Sequence, residues 1–114
     1  MASSRGLILQ ALETIGIRQH SWETDGAAAL QYLSRNTCHI VISDYNMPNM
    51  DGLQLLKAIR TNKATSHIGF ILVTGSKDVT LINRGKQLGM NNYIPKPFTA
   101  EGMRRCLEAV TGPL

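Results

Sequence analysis

Apolar residues recur along this chain at two alternating periods. Leu7, Ile8, Ala11, Leu12 and Ile15 fall at helical spacing, with Ser3 or Ser4 placed to cap the start and Gly16 the end. Ile17 to Trp22 is a short strand candidate. Asp25 opens a second predicted helix through Tyr32, Leu33 and Arg35. His39-Ile40-Val41-Ile42-Ser43 is a β-branched run of the kind buried on both faces of a sheet. Asp51-Gly52 leads into a third helix with Leu53, Leu56 and Ile59 on one side. Gly69-Phe70-Ile71-Leu72-Val73 is a second buried strand, ending at Thr74-Gly75-Ser76. Asp78 caps a fourth helix with Val79, Ile82 and Leu88, closed by Gly89. Asn92-Tyr93-Ile94-Pro95 is a short strand, and Thr99 caps a last helix with Met103, Leu107 and Val110. Helices alternating with buried strands predict an α/β fold, a doubly wound parallel sheet with right-handed crossovers and helices on both faces. The pattern opens on a helix, with no strand before it.

Three polar residues follow three predicted strands in the same way: Asp44, Thr74 and Lys96. In a parallel sheet all three emerge at one rim, where open α/β sheets bind ligands. Each has a bland reading alone: a loop cap, a turn residue and a surface lysine. Together, a carboxylate, a hydroxyl and an ammonium suit phosphoryl transfer. The carboxylate attacks phosphorus, and the other two bind its oxygens as charge builds.

Composition narrows the field. A chain of 114 residues with 43% hydrophobic content supports one domain with a core, 1–114. The net charge of +4 is spread over scattered Lys and Arg without a run, so a solvated surface is preferred to nucleic-acid binding. Cys38 and Cys106 are far apart and not in metal-ligand spacing, and His20, His39 and His67 fall in separate segments. No apolar stretch approaches a bilayer span, and no signal-peptide core opens the chain. The expectation is a soluble, cytoplasmic protein with reduced thiols.

The segment Val41-Ile42-Ser43-Asp44-Tyr45-Asn46-Met47-Pro48-Asn49-Met50-Asp51-Gly52-Leu53 resembles the phosphoacceptor motif of response-regulator receiver domains, the CheY-like family. Val73-Thr74-Gly75 resembles that family's switch Ser/Thr segment, and Tyr93-Ile94-Pro95-Lys96-Pro97-Phe98 its lysine segment. The motifs stand in the family's order and spacing across nearly the whole chain. The resemblance implies a CheY-like (flavodoxin-like) fold. It implies that Asp44 accepts a phosphoryl group from a phosphohistidine, Thr74 binds it and shifts inward, and Lys96 pairs with it. Tyr93 matches the switch aromatic, although a plain packed strand residue is the alternative. Asn46 and Ser76 occupy positions that tune dephosphorylation, and the Asn46 backbone carbonyl is an implied Mg²⁺ ligand together with Asp44. Lys96-Pro97 resembles the family's cis peptide bond.

One departure stands out. Receivers open with a strand ending in two acidic residues that help hold Mg²⁺. Here that first strand is missing or replaced, and no acid precedes Glu13. Mg²⁺ binding, and with it phosphorylation, is therefore in doubt. The lost strand would bury about five apolar side chains, on the order of 8–15 kcal/mol, which rivals a whole domain's stability. The expectations are an N-terminally truncated receiver, a homodimer or swapped dimer covering the exposed edges, or the 17–22 strand moved in beside 39–43.

The leading functional reading is a signalling module, not an enzyme. Its partners would be a sensor histidine kinase or phosphotransfer domain and, in a chemotaxis-type regulator, a flagellar motor switch. A phosphate sink in a phosphorelay is compatible. A non-phosphorylatable docking or dimerisation module is the alternative that the missing acids favour. A phosphohydrolase of the haloacid-dehalogenase type also uses a strand-end Asp, but needs a second Asp where Asn46 stands.

Overall fold

The computed structural model describes residues 4–17, 26–46, 50–75 and 79–112. The elements in chain order are α1 (Ser4–Ile15), α2 (Gly26–Leu33), β1 (Ile40–Asp44), α3 (Gly52–Thr61), β2 (Gly69–Thr74), α4 (Val79–Leu88), β3 (Asn92–Pro95) and α5 (Ala100–Thr111). The proposed caps at Ser3, Asp25 and Asp78, residues 18–22 of the first strand candidate, and Ser76 lie outside what is described, and Ser4 is the first residue of α1. Ile17 itself is in no strand.

The three strands form one parallel sheet in the order β1-β2-β3, with Ile40 opposite Gly69 and Ile71 opposite Asn92. Parallel neighbours require crossovers, and α3 and α4 supply them. Side chains alternate across the sheet. Ile71, Val73 and Ile94 face one layer, where α1 packs against α5 through Ile8, Leu12, Met103 and Leu107. Phe70 and Leu72 face the other, against Leu53, Leu56 and Ile59 of α3, with Leu33 of α2 and Met90. The doubly wound α/β architecture expected from the alternating periods is present.

The strands are not equally buried. Phe70, Ile71, Leu72 and Val73 of β2 are fully enclosed, whereas Ile40, Val41 and Ile42 of β1 are only half-buried. The expectation that the 39–43 run is buried on both faces is thus only partly met. The reason is topological: β2 has a neighbour on each side, and β1 has one, among the described residues. A second difference concerns Val79, placed with the apolar side of the fourth helix by spacing but 67% exposed at the start of α4.

The helix ends follow the chemistry of their residues. Asp51 accepts from the Gln54 N–H at 2.8 Å while the Gln54 side chain accepts from the Asp51 N–H, a reciprocal capping box. Thr99 caps α5 through the Gly102 N–H. Gly16 and Gly89 close α1 and α4 at φ of 98° and 97°, where a Cβ is disfavoured.

One tie was invisible to periodicity. The Arg60 guanidinium, near the end of α3, donates to the carbonyls of Ser66, Ile68 and Gly89 and to the Asn91 side-chain oxygen. That oxygen also accepts from the Phe70 N–H at 2.8 Å. One planar fork therefore fastens α3, the 62–68 segment, the end of α4 and the start of β2. Lysine cannot reproduce this geometry. Arg60→Lys is expected to lower stability by about 2 kcal/mol, read as a reduced midpoint in urea unfolding with an unchanged slope.

Candidate functional site

The site lies where the strands end. Asp44 is the last residue of β1, opposite Val73, and Thr74 is the last of β2, opposite Pro95. The ladder continues one step beyond the strands. Tyr45 N–H donates to the Val73 carbonyl at 2.9 Å and Lys96 N–H to the Thr74 carbonyl at 2.8 Å. These bonds fix the backbone on either side of the rim, so Asp44, Thr74 and Lys96 emerge together, as the sequence pattern predicts.

Asp44 and Lys96 are in contact. The Lys96 ammonium lies 3.3 and 3.4 Å from the two Asp44 carboxylate oxygens. The pair is partly enclosed, with side chains 24% and 16% exposed for Lys96 and Asp44. Coulomb attraction there is screened less than on an open surface. The lysine stem passes over the end of β2: a Cβ built at Gly75 would meet only the Lys96 Cε, at 3.8 Å. Thr74 is 1% exposed, its hydroxyl carried on the middle strand between the two charged ends. Asn46 is exposed one residue past Tyr45. Tyr93 is half-buried and packs into the α3 side of the core, opposite Leu72, two residues before the rim. The Lys96-Pro97 bond is cis.

Sequence reasoning passed over two residues that shape the rim. A Cβ at Gly52 would sit 2.7 Å from the Asp44 carbonyl oxygen and 2.8 Å from Leu72 Cδ1. Only glycine lets the start of α3 press against the end of β1, where the Gly52 N–H donates to the Tyr45 carbonyl at 2.8 Å. The signal was available in Asp51-Gly52 ahead of an apolar helix, but it read only as the lead-in to that helix. Ser43, 4% exposed, donates its hydroxyl to the Asp44 carbonyl at 2.9 Å. Nothing in the strand pattern marked that bond.

The donor set for a metal is small. Among the described residues no group of three or more His, Cys, Asp or Glu could hold an ion. The Asp44 carboxylate and the Asn46 carbonyl are the expected oxygen donors, and Lys96 already engages the first. Mg²⁺ demands a near-octahedral oxygen shell. These residues alone do not fit a resident Mg²⁺.

A parallel sheet with an acid, a hydroxyl and a lysine at three successive strand ends defines a class of signalling domain, and the comparisons agree. The chain belongs to the response regulator receiver domain family, whose model matches residues 2–108. It is 43% identical over 112 residues to a protein of Rhizobium etli described as a probable chemotaxis protein CheY, covering 98% of this chain and 87% of that protein. The crystal structure of the Vibrio cholerae chemotaxis protein CheY4 superposes with a TM-score of 0.83 at 26% identity, over 93% of this chain and 88% of the other. The receiver domain of a Pseudomonas aeruginosa sensor histidine kinase, solved with magnesium in its active-site cleft, shares the fold at a TM-score of 0.80 and 24% identity, covering 91% and 84%. Among the described residues no helix is long and apolar enough to cross a membrane.

Two outcomes are expected. Gly52→Ala forces the Asp44 carbonyl and α3 apart and costs on the order of 1–3 kcal/mol in chemical denaturation. Burial pushes the Cys106 thiol up to about 11. At pH 8 its thiolate is therefore scarce, and iodoacetamide is expected to modify half-buried Cys38 first, as read by peptide mass spectrometry.

Proposed function

We propose that this chain is a chemotaxis-type receiver that accepts a phosphoryl group on Asp44 and signals by protein contact. The observation that carries this reading is the Asp44–Lys96 ion pair across the strand ends, with Thr74 between them. An Asp44 oxygen attacks phosphorus in a donor phosphohistidine. The new O–P bond replaces the P–N bond, and the departing imidazole nitrogen takes up a proton. Lys96 and Thr74 bind the phosphoryl oxygens as negative charge gathers there. The donor would be a sensor histidine kinase or phosphotransfer domain, and the reader a flagellar motor switch. Tyr93, on β3 beside the rim, would follow the movement of Thr74 and change the α4–β3–α5 surface. Transfer without turnover suits Asn46, an amide where a hydrolase would place an acid. Free thiols at Cys38 and Cys106 favour a cytoplasmic setting. The half-buried edge of β1 supports pairing of two copies, to be checked by light scattering.

The thin metal donor set favours a second reading, a receiver fold used only for docking. Intact-mass spectrometry after incubation with acetyl phosphate and Mg²⁺ separates the two. The first expects one phosphoryl increment, mapped to Asp44 and absent from Asp44→Asn. An unmodified parent chain, or an increment that survives in Asp44→Asn, overturns it and leaves the docking module.

A further inference from the structure

The net charge of this protein is carried by one stretch of the chain. Between Asp51 and Glu101 lie seven of the twelve Lys and Arg residues and only one of the eight acids, Asp78. The fold turns that asymmetry into a surface. α3 buries Leu53, Leu55, Leu56 and Ile59 and leaves Lys57 exposed, and Lys63 is exposed just past its end. α4 packs beside α3 and exposes Arg84 and Lys86. Among the described residues none of these four cations is in an ion pair, and α3, α4 and the 62–68 segment hold no acid.

The opposite layer behaves differently. On α5, Arg104 pairs with Glu108 at 2.9 Å and with Glu101, and Arg105 pairs with Glu101 at 3.5 Å. One helix neutralises its own arginines, while α3, α4 and the 62–68 segment leave these four cations exposed without counter-charge among the described residues. A field of one sign attracts an anionic partner and raises its rate of encounter. Val79, on the same α4 helix as Arg84 and Lys86, adds an exposed apolar side chain. Neither helix carries Phe, Tyr or Trp, the side chains on which unpaired bases stack.

We propose that the outer face of α3 and α4 docks an acidic protein segment, with Lys57, Lys63, Arg84 and Lys86 meeting its carboxylates and Val79 an apolar side chain among them. This surface is separate from the rim, and its test on the unphosphorylated chain uses no phosphoryl donor.

The full ¹⁵N-labelled chain is titrated with a synthetic peptide of Glu and Leu residues, the same peptide with Gln for Glu, and an oligothymidylate of equal charge. The Glu peptide is expected to shift the amides of Lys57, Lys63, Val79, Arg84 and Lys86, to weaken as salt rises, and to bind more tightly than either control. Joint Lys57→Glu and Arg84→Glu substitution is expected to weaken it roughly tenfold or more, and Val79→Ser to weaken it too. Arg104→Glu is expected to leave it nearly unchanged. Absent binding, shifts centred on α5, or equal affinity for the Gln peptide overturns the proposal. Equal or tighter binding of the oligothymidylate overturns it in favour of nucleic acid. Should the charge-reversed variant lose its fold by circular dichroism, the salt titration and the two control ligands decide the matter on the unsubstituted chain.

Discussion

Every feature of the rim depends on the burial of β2 on both faces and its pairing on both edges. Phe70 and Leu72 fill one layer, Ile71 and Val73 the other, and none is accessible to solvent. A strand enclosed in this way can carry polar chemistry only where it ends. Parallel pairing then brings the neighbouring strands to an end at the same level. Asp44 closes β1 one step below Thr74, and Lys96 stands one step past Pro95, so the register alone assembles a carboxylate, a hydroxyl and an ammonium.

The ion pair spans the sheet from one outer strand to the other. Neighbouring strands are about 4.8 Å apart, so β1 and β3 are separated by roughly 10 Å. Asp44 is too short to cross, and the four-carbon stem of Lys96 covers most of the distance. Gly75 leaves its path open at the end of β2. Half-enclosed charges of this kind are each costly to leave alone, which favours keeping the cation near the carboxylate in the resting protein. A flexible ammonium, unlike a rigid guanidinium fork, can follow negative charge that arrives at the Asp44 oxygens.

Much of this was legible in the sequence, because two-sided burial writes itself as an unbroken apolar run. The 69–73 run gave β2 to within a residue, and the polar residues after each run gave the rim. Thr99 was readable as a cap because its side chain acts on a backbone group three residues away, whereas the matching role of Asp51 emerged only with the structure. What periodicity could not show were contacts set by tertiary approach. Gly52 looks like half of a turn dipeptide until α3 is laid against the Asp44 carbonyl. Arg60 looks like one more surface cation until the 62–68 segment and the end of α4 turn their carbonyls toward it. The exposure of Val79 was hidden for a related reason: spacing marks a helix face but does not show which of its positions a neighbouring element covers.

The two helical layers also solve the same charge problem differently. α5 places Glu101 and Glu108 within one turn of its arginines, so its field largely closes on itself. On α3 the spare arginine is turned inward to carbonyls, and the remaining cations of α3 and α4 face outward without counter-charges among the described residues. Neither the hydrophobic periodicity nor the core requires this difference, since exposed positions on both layers tolerate either sign. Charge sign on exposed helical positions bears little on fold and strongly on association. The arrangement therefore separates the chain's two kinds of chemistry in space. Charge at the rim is paired and half-enclosed, suited to holding a small anion, whereas charge on the α3–α4 face is open, spread over two helices and suited to a larger one.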